Sequence, residues 1–595
     1  MAAARFVRDP HSYSRPAEVR VDHLSLSLGV DFPRKVLSGI ATLGITNTAR
    51  ANVLVLDTRD LTIHRVTRDG GTATTYRLGQ ARPDFGAPLE IDITPATRSV
   101  TVEYTTSPGA AALQWLDPMQ TAGKRDPFLL SQSQAILARS WVPIQDSPQV
   151  RFTYDAVVRV PPQLMAVMSA ENPTAKNPEG LYRFRMPQPV PAYLLAIAAG
   201  DLEFRSLGRN SGVYAEPEVI ESAAREFEDT QKMIDVAEEM YGPYRWGRYD
   251  MLVLPPSFPY GGMENPRLTF LTPTLIAGDK SLVATVAHEL AHSWSGNLVT
   301  NATWSDFWLN EGFTTYLERR ISERIYGREQ AEMLWVLGLK DLLDELPQVA
   351  DADEGLVVDL DGRSPDAGPT FLPYEKGSLF MRLIEETVGR ARFDAYLRDY
   401  FDRFAFVPMT TEIFLADMRS RLLSQVPGAE ERLGIAAWIS GPGLPSNAPQ
   451  ARSEAFARVE AQAAAFGSGT PAASLQASNW SSLEWLHFIH SLPQDISVDR
   501  LRELDARFRF SESGNSEILF SWLDLGISRD YREVYPAVER FLTSQGRRKF
   551  LRPLYTKLVA TPAGREVAER IYARARPTYH PVSQEAIDAI LRGAS

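Results

Sequence analysis

The chain has 595 residues, 44% hydrophobic and 23% charged; this is enough apolar material for several cores and excludes disorder as the main state. Lys and Arg number 63 against 74 Asp and Glu, and a net charge of −11 speaks against a general nucleic-acid binder. There is no cysteine, which excludes disulfide scaffolds, thiolate zinc fingers, iron–sulfur ligation and a cysteine nucleophile, so a metal site must draw on carboxylates and the 8 His.

Residues 1–20 hold no apolar stretch of signal-peptide length. The most apolar run, 190–200, is too short to span a bilayer. The expectation is a monomeric, cytoplasmic protein without an integral membrane segment, or a periplasmic or secreted one if a leader has been cleaved.

The first third reads as β-structure. Leu24, Leu26, Leu28, Val30 and Phe32 alternate with polar or small residues, as do Phe152, Tyr154, Ala156, Val158 and Val160. A period of two marks half-buried strands. No long helix is expected before about Asp201. From Glu216 to Tyr241 the spacing is helical, and Gly242-Pro243 stops it. Met251 to Leu254 reads as a short strand ending at Pro255-Pro256. After Tyr260-Gly261-Gly262 a helix is expected over Ser281 to Trp294, ending near Gly296-Asn297, with further helices to about Ile439. The stretch 441–449, with three prolines and two glycines, reads as a linker. Beyond it the pattern is helical to the end, with Leu483, Leu486, Phe488 and Ile489 as a packed face.

His288-Glu289-Leu290-Ala291-His292 is an HExxH pattern inside a predicted helix. Residues i and i+4 share one helix face, so both imidazoles reach one ion. Glu289 then stands beside the first ligand, toward an activated water. Asn310-Glu311-Gly312 opens a second helical stretch, 313–320, with Asn310 as its expected N-cap. Two His and Glu311 leave zinc an open position, as hydrolysis requires. Glu318, two turns along, either orients a ligand imidazole or forms a solvent-facing salt bridge. His487 and His490 lack an obvious carboxylate and read as core or surface histidines.

Gly261-Gly262-Met263-Glu264-Asn265 precedes these motifs. Alone it is a loop. Beside a metal site, two glycines allow close approach of a substrate backbone, and Glu264 can take a free ammonium group.

GGMEN, then HELAH, then NEG, at this spacing, resembles the M1 metallo-aminopeptidases and, more closely, their leukotriene A4 hydrolase and bacterial aminopeptidase B-like branch. Further stretches are similar to that branch: 30–39, Ser131-Gln132-Ser133-Gln134-Ala135, Pro373-Tyr374-Glu375-Lys376-Gly377, Gly546-Arg547-Arg548-Lys549-Phe550 and His580-Pro581-Val582. The resemblance implies a multidomain α+β chain: an N-terminal β-saddle, a thermolysin-like catalytic domain and a C-terminal α-helical, superhelical domain. With the zones read above, the expected bounds are 1–205, 206–440, a linker at 441–455, and 456–595.

The resemblance also implies roles. His288, His292 and Glu311 would hold one zinc per chain. Glu289 would be the general base and Tyr374 the oxyanion donor. Glu264 and Gln134 would bind the substrate's α-amino end, with Ala135, Tyr260 and Met263 beside them and Gly261 and Gly262 aligning its backbone. Arg547 and Lys549 match positions that recognise a substrate carboxylate, which favours short peptides, whose free C-terminus falls within reach, while their free N-terminus goes to Glu264. Asp366 falls where that branch has an aspartate used in lipid-epoxide hydrolysis, but Pro369 falls where it has a second tyrosine. Asp366 is then left to serve basic N-terminal residues or to cap a turn. The expected function is a zinc metallo-aminopeptidase acting on di- and tripeptides. The alternatives are a bifunctional epoxide hydrolase, an endopeptidase, and a catalytically inactive peptide-binding protein of the same fold.

Overall fold

The computed structural model describes residues 6–368 and 371–593. Three zones follow one another along the chain.

The first is built on a seven-stranded sheet in the spatial order Leu181–Pro191, Arg151–Arg159, Val19–Asp31, Val36–Asn47, Ser99–Thr105, Thr62–Arg68, Thr72–Ala73. The alternation read in the sequence sets its inner face. Leu24, Leu26 and Leu28 are buried, as are Phe152, Tyr154, Ala156, Val158 and Val160, while Val30 and Phe32 are half-buried against the same core. In register, Leu24 lies between Leu43 and Tyr154, so three apolar side chains meet on one face. A four-stranded sheet, Met165–Met168, Ile197–Gly200, Phe128–Ser131 and Leu113–Leu116, is buried throughout. Its strand Phe128–Ser131 runs directly into Gln132–Ala135 and so delivers that segment to the site.

The second zone opens with a five-stranded sheet. Strands Glu203–Ser206 and Ser211–Ala215 are followed in space by β1 (Tyr249–Val253), β3 (Thr269–Leu271) and the edge strand β2 (Gly262–Met263). β2 pairs antiparallel to β3, Gly262 opposite Leu271. The helices that carry the site follow: α1 (Ala284–Ala291), α2 (Trp308–Tyr326) and α3 (Leu372–Val388). α2 and α3 touch backbone to backbone. A β-carbon on Gly312 would lie 2.7 Å from the Gly377 Cα.

Three expectations change here. The helix read over 216–241 is two helices, Ile220–Glu226 and Thr230–Tyr241. The break arises because Glu226 turns inward to accept the backbone N–H groups of Ala277, Gly278 and Lys280, while Thr230 Oγ1 donates to the Phe227 carbonyl. Asn310 is not an N-cap. α2 already begins at Trp308, continuing the turn Trp304–Asp306, and the Asn310 side chain instead accepts from Asn301 N–H (3.0 Å) and donates to Tyr193 Oη (3.2 Å). The helix over 281–294 is shorter, Ala284–Ala291, with His292 at its C-terminal edge.

The segment 441–449 is irregular but tethered. Lys376 Nζ donates to the Gly441 carbonyl at 2.9 Å, and Gly443 N–H donates to Glu354. The third zone is helical and has its own core, which includes Phe488, Ile489, Trp522, Phe550 and Leu554. Leu483 packs instead with Met333, Ala455 and Phe456, where this zone meets the catalytic helices. Its helices α4 (Ser516–Ser528) and α5 (Arg548–Val559) bring Glu517 and 547–549 toward the glycine strand. His487 bonds Glu460 at 2.8 Å and stacks on Phe456, which matches a structural role. No helix among the described residues is long and apolar enough to cross a membrane.

Candidate active site

α1 places His288 and His292 one turn apart, with ring centroids 5.0 Å from each other. The Nε2 atoms of both lie 3.3 Å from Glu311 Oε2 on α2. Their other ring nitrogens are engaged elsewhere. His288 Nδ1 meets Glu318 Oε2 at 3.0 Å; His292 Nδ1 meets the Ser295 carbonyl at 3.0 Å and Thr314 Oγ1 at 3.1 Å. A carboxylate and a carbonyl only accept, so each Nδ1 donates and each Nε2 lone pair points inward. Two lone pairs and a carboxylate oxygen therefore converge, and Glu311 Oε2 is buried without a hydrogen-bond partner among the described residues. That donor set fits a divalent cation of borderline softness such as zinc.

The electrostatics make the same demand for positive charge. Burial works against charged imidazoles, yet Glu311 and Glu318 pull His288 well up, and Glu264 and Glu311 raise His292. Burial alone would raise Glu311, but the two imidazoles outweigh it and hold the carboxyl at about 2. Glu318 is thereby the orienting partner of His288 rather than a solvent-facing salt bridge. The turn after α1 needs glycine: Gly296 has φ +111°, and a β-carbon there would stand 2.7 Å from His292 Nδ1.

Glu289 is buried beside the pair. Burial pushes its carboxyl up to about 7, with both imidazoles opposing and Glu264 and Glu311 adding to the rise. Glu264 is also buried, its carboxyl raised by desolvation, and among the described residues its Oε1 lacks a partner. Glu264, Glu289 and His292 bring ligand atoms within 4.8 Å of one another. The Glu264 carbonyl accepts from Asn297 Nδ2 at 2.7 Å, which fixes the backbone behind the carboxylate. Tyr374, in the first turn of α3, stacks on His288 (5.9 Å, 19°) and meets Phe307 edge-on. Burial, with Glu311, Glu264 and Glu289 around it, pushes the phenol well above its ordinary pKa, so it stays a protonated donor.

A cavity of about 580 Å³ opens beside Tyr374. Gln134, Ala135, Tyr260 and Asp366 line it, as the sequence suggested, together with Leu137, Trp304, Phe307, Leu356, Val358, Leu360 and Arg548, which sequence reading did not single out. Asp366 stands exposed at the rim, with its carboxyl raised by partial loss of solvent. It does not cap its turn: Ser364 Oγ accepts the Asp366 N–H instead. Pro369 lies outside the described residues.

One expected contact is displaced. Met263 turns into the core, where its Sδ accepts from Gln132 Nε2, so it supports the Gln132–Ala135 segment instead of lining the cavity. Arg547 and Lys549 are not free cations. Glu517 accepts from Arg547 at 3.3 Å and from Lys549 at 2.9 Å through both oxygens. Arg547 also donates to Thr274 Oγ1, and its Nη2 would lie 3.3 Å from a β-carbon on Gly261. Lys549 is exposed and lies one step farther out. The cavity wall takes the intervening Arg548, whose position follows from the direction in which α5 starts. Nothing in the local pattern separates it from its neighbours.

Residues 10–194 match the Peptidase M1 N-terminal domain, 225–428 the Peptidase family M1 domain, and 480–591 the Leukotriene A4 hydrolase, C-terminal domain. The chain is 38% identical to the leukotriene A-4 hydrolase of Xenopus laevis, covering 97% of this chain and 98% of the relative. It is 35% identical to leucine aminopeptidase 2 of Yarrowia lipolytica, covering 98% and 94%. The native leukotriene A4 hydrolase structure from Saccharomyces cerevisiae superposes with a TM-score of 0.91 at 32% identity over 98% of this chain and 97% of that one. With three family domains in order and a site whose donors converge for a divalent cation, the chain belongs to the M1 family of zinc metallopeptidases.

Proposed function

We propose that the protein is an aminopeptidase that removes the N-terminal residue from short peptides, with one zinc per chain held by His288, His292 and Glu311. When bound, zinc supplies a Lewis acid for the scissile carbonyl and acidifies its water. Glu289 takes the proton from the attacking water and passes it to the leaving amine. Tyr374 donates to the oxygen that becomes negative on the substrate. Gly261 and Gly262 leave room for the substrate backbone, and Glu264 with Gln134 holds the α-ammonium group. The apolar wall of Phe307, Leu356 and Val358 suits an apolar first side chain, and Asp366 at the rim suits a basic one. Arg547, poised beside Gly261, divides its guanidinium between Glu517 and the C-terminal carboxylate of a short peptide, and Lys549 adds its charge from outside.

The observation that carries this reading is Glu264: a buried carboxylate with an unpartnered oxygen, next to Glu289 and His292. An ammonium group bound there leaves only the first peptide bond beside Glu289, which favours an exopeptidase over an endopeptidase. The name of one relative, leucine aminopeptidase 2, supports the same assignment.

The test is a tripeptide with and without N-acetylation. The free peptide should lose one residue in a chelator-sensitive, zinc-restored reaction, and the acetylated one should react about 10²-fold more slowly or not at all. Comparable cleavage of both would overturn the exopeptidase assignment. A second activity on lipid epoxides is favoured by the apolar cavity with Asp366 in its lining and by the name of the relative leukotriene A-4 hydrolase, and direct assay on such an epoxide decides it.

A further inference from the structure

The rim loop that carries Asp366 is held from outside the catalytic zone. His11, 1% exposed, reaches across to it: its Nε2 lies 3.1 Å from the carbonyl of Arg363. A carbonyl only accepts, so the imidazole donates. Arg8 pairs with Asp361 in the same loop, Nη1 to Oδ2 at 3.0 Å. That pair is largely solvent-exposed and contributes little. The weight of the contact therefore falls on the buried ring of His11.

The segment making these contacts is itself rigidly mounted. The His11 ring stacks on Phe85, with planes 4° apart. The fully buried guanidinium of Arg139 donates to the carbonyls of both residues, at 2.7 Å to His11 and 2.8 Å to Phe85, and bonds Asp146 as well. Just to the C-terminal side of His11 the chain is fixed again, because Ser12 Oγ and Tyr13 N–H both donate to Asp57. Earlier still, Val7 exchanges two hydrogen bonds with the Gln149 side chain.

On the other side of the contact, little slack separates the anchor from the cavity. Arg363 is bound to Asp353 through both terminal guanidinium nitrogens, Nη1 and Nη2. A single turn, Pro365–Ala367, follows at once, capped by Ser364. Fixing the Arg363 carbonyl thus fixes where the Asp366 carboxylate sits, three residues on.

We propose that residues 8–11 form a positioning strap: His11, from the N-terminal zone, holds the rim loop so that Asp366 is presented to the first side chain of the substrate. His11 is a positioning residue and touches no substrate. Its consequence for selectivity rests on the reading of Asp366 given above; the mechanical strap does not. The arrangement makes selection at the substrate's first side chain a joint property of two zones of the chain. It also gives a use to a buried histidine that neither zinc binding nor proton transfer employs.

The experiment uses the full-length zinc-loaded enzyme. His11→Ala removes ring and hydrogen bond, His11→Phe keeps the stack on Phe85 and removes only the bond, and His11→Gln restores a donor. Hydrogen exchange over 361–366 should quicken by about tenfold in His11→Ala and His11→Phe and return toward wild type in His11→Gln. Arginyl anilide should show KM raised about fivefold at nearly constant kcat, leucyl anilide less than twofold, and addition of Asp366→Asn to His11→Phe should cost nothing more than Asp366→Asn alone. Unchanged exchange in His11→Phe overturns the strap. Faster exchange with equal losses on both anilides overturns its role in selectivity. If Asp366→Asn itself leaves the arginyl and leucyl rates unaltered while exchange still quickens, the strap stands and the reading of Asp366 falls.

Discussion

A β-carbon placed on Gly262 would lie 2.3 Å from Glu289 Oε1 and 3.2 Å from the Phe270 carbonyl. The edge strand β2 and the helix α1, which carries His288 and His292, are therefore spaced by the absence of one side chain. No side chain can occupy residue 262 without moving either the carboxylate or the strand. The glycine that leaves room for a substrate backbone also leaves room for the base.

Gly262→Ala should accordingly damage chemistry more than metal binding. We expect kcat/KM to fall by about 10²-fold or more, because sub-ångström displacement of a reacting group carries costs of that order. Zinc content by atomic absorption should stay near wild type, since neither imidazole is displaced. Loss of zinc in step with activity would place the damage at the ligands instead.

Glu289→Gln should lower kcat by about 10³-fold with zinc retained, within the range general-base removal produces. The wild-type pH profile follows from sign. Glu289 works as the anion, and burial lifts its carboxyl to about 7 before any cation is counted. A cation between His288 and His292 lowers that value, so the acid limb of kcat/KM should fall below pH 7. Glu264 is among the groups that raise Glu289. The residual activity of Glu264→Gln should therefore show an acid limb at lower pH than wild type.

Glu318→Gln tests the orienting contact on His288 Nδ1. The amide can still accept through its oxygen but carries no charge. Outer partners of metal-binding histidines typically contribute 10- to 100-fold in metal affinity. We expect weakening of about tenfold, measured by competition with a fluorescent zinc chelator, with kcat of the fully loaded enzyme changed less than the affinity.

Arg547→Ala should raise KM for tripeptides by about tenfold, the scale of one charge-assisted contact, and leave an amino-acid anilide without a carboxylate nearly unaffected. Glu517→Gln tests the sharing of that cation. With the competing carboxylate neutralised, tripeptide KM should fall relative to the anilide. Equal effects of Arg547→Ala on both substrates would mean that Arg547 acts through the glycine strand next to it.

Much of this site was legible before any coordinates, and for a local reason. The i, i+4 pair His288 and His292 needs only a helix to meet. The strands of the first zone announce themselves by alternation, so Leu24 to Leu28 and Phe152 to Val160 are buried as read. Asn310 shows where such reasoning stops. Its residue type and place suit an N-cap, but the preceding turn Trp304–Asp306 continues into α2 and moves the start of the helix upstream. Met263 shows the same limit. Its neighbours Gly262 and Glu264 lie against Glu289, and strand geometry sends it to the opposite side, against Gln132.

The chain's own letters were enough for the paired His288 and His292, for Glu289 beside them and for the three zones, because each depends on spacing within a short segment or on composition over a long one. Folding alone settled that Glu517 occupies Arg547 and Lys549, that Gly262 stands against Glu289, that Gly312 meets Gly377, and that His11 reaches Arg363. Each of those relationships joins residues far apart in sequence. Helical and strand periods encode only neighbours a few residues away, so contacts between distant segments exist only once the elements have packed.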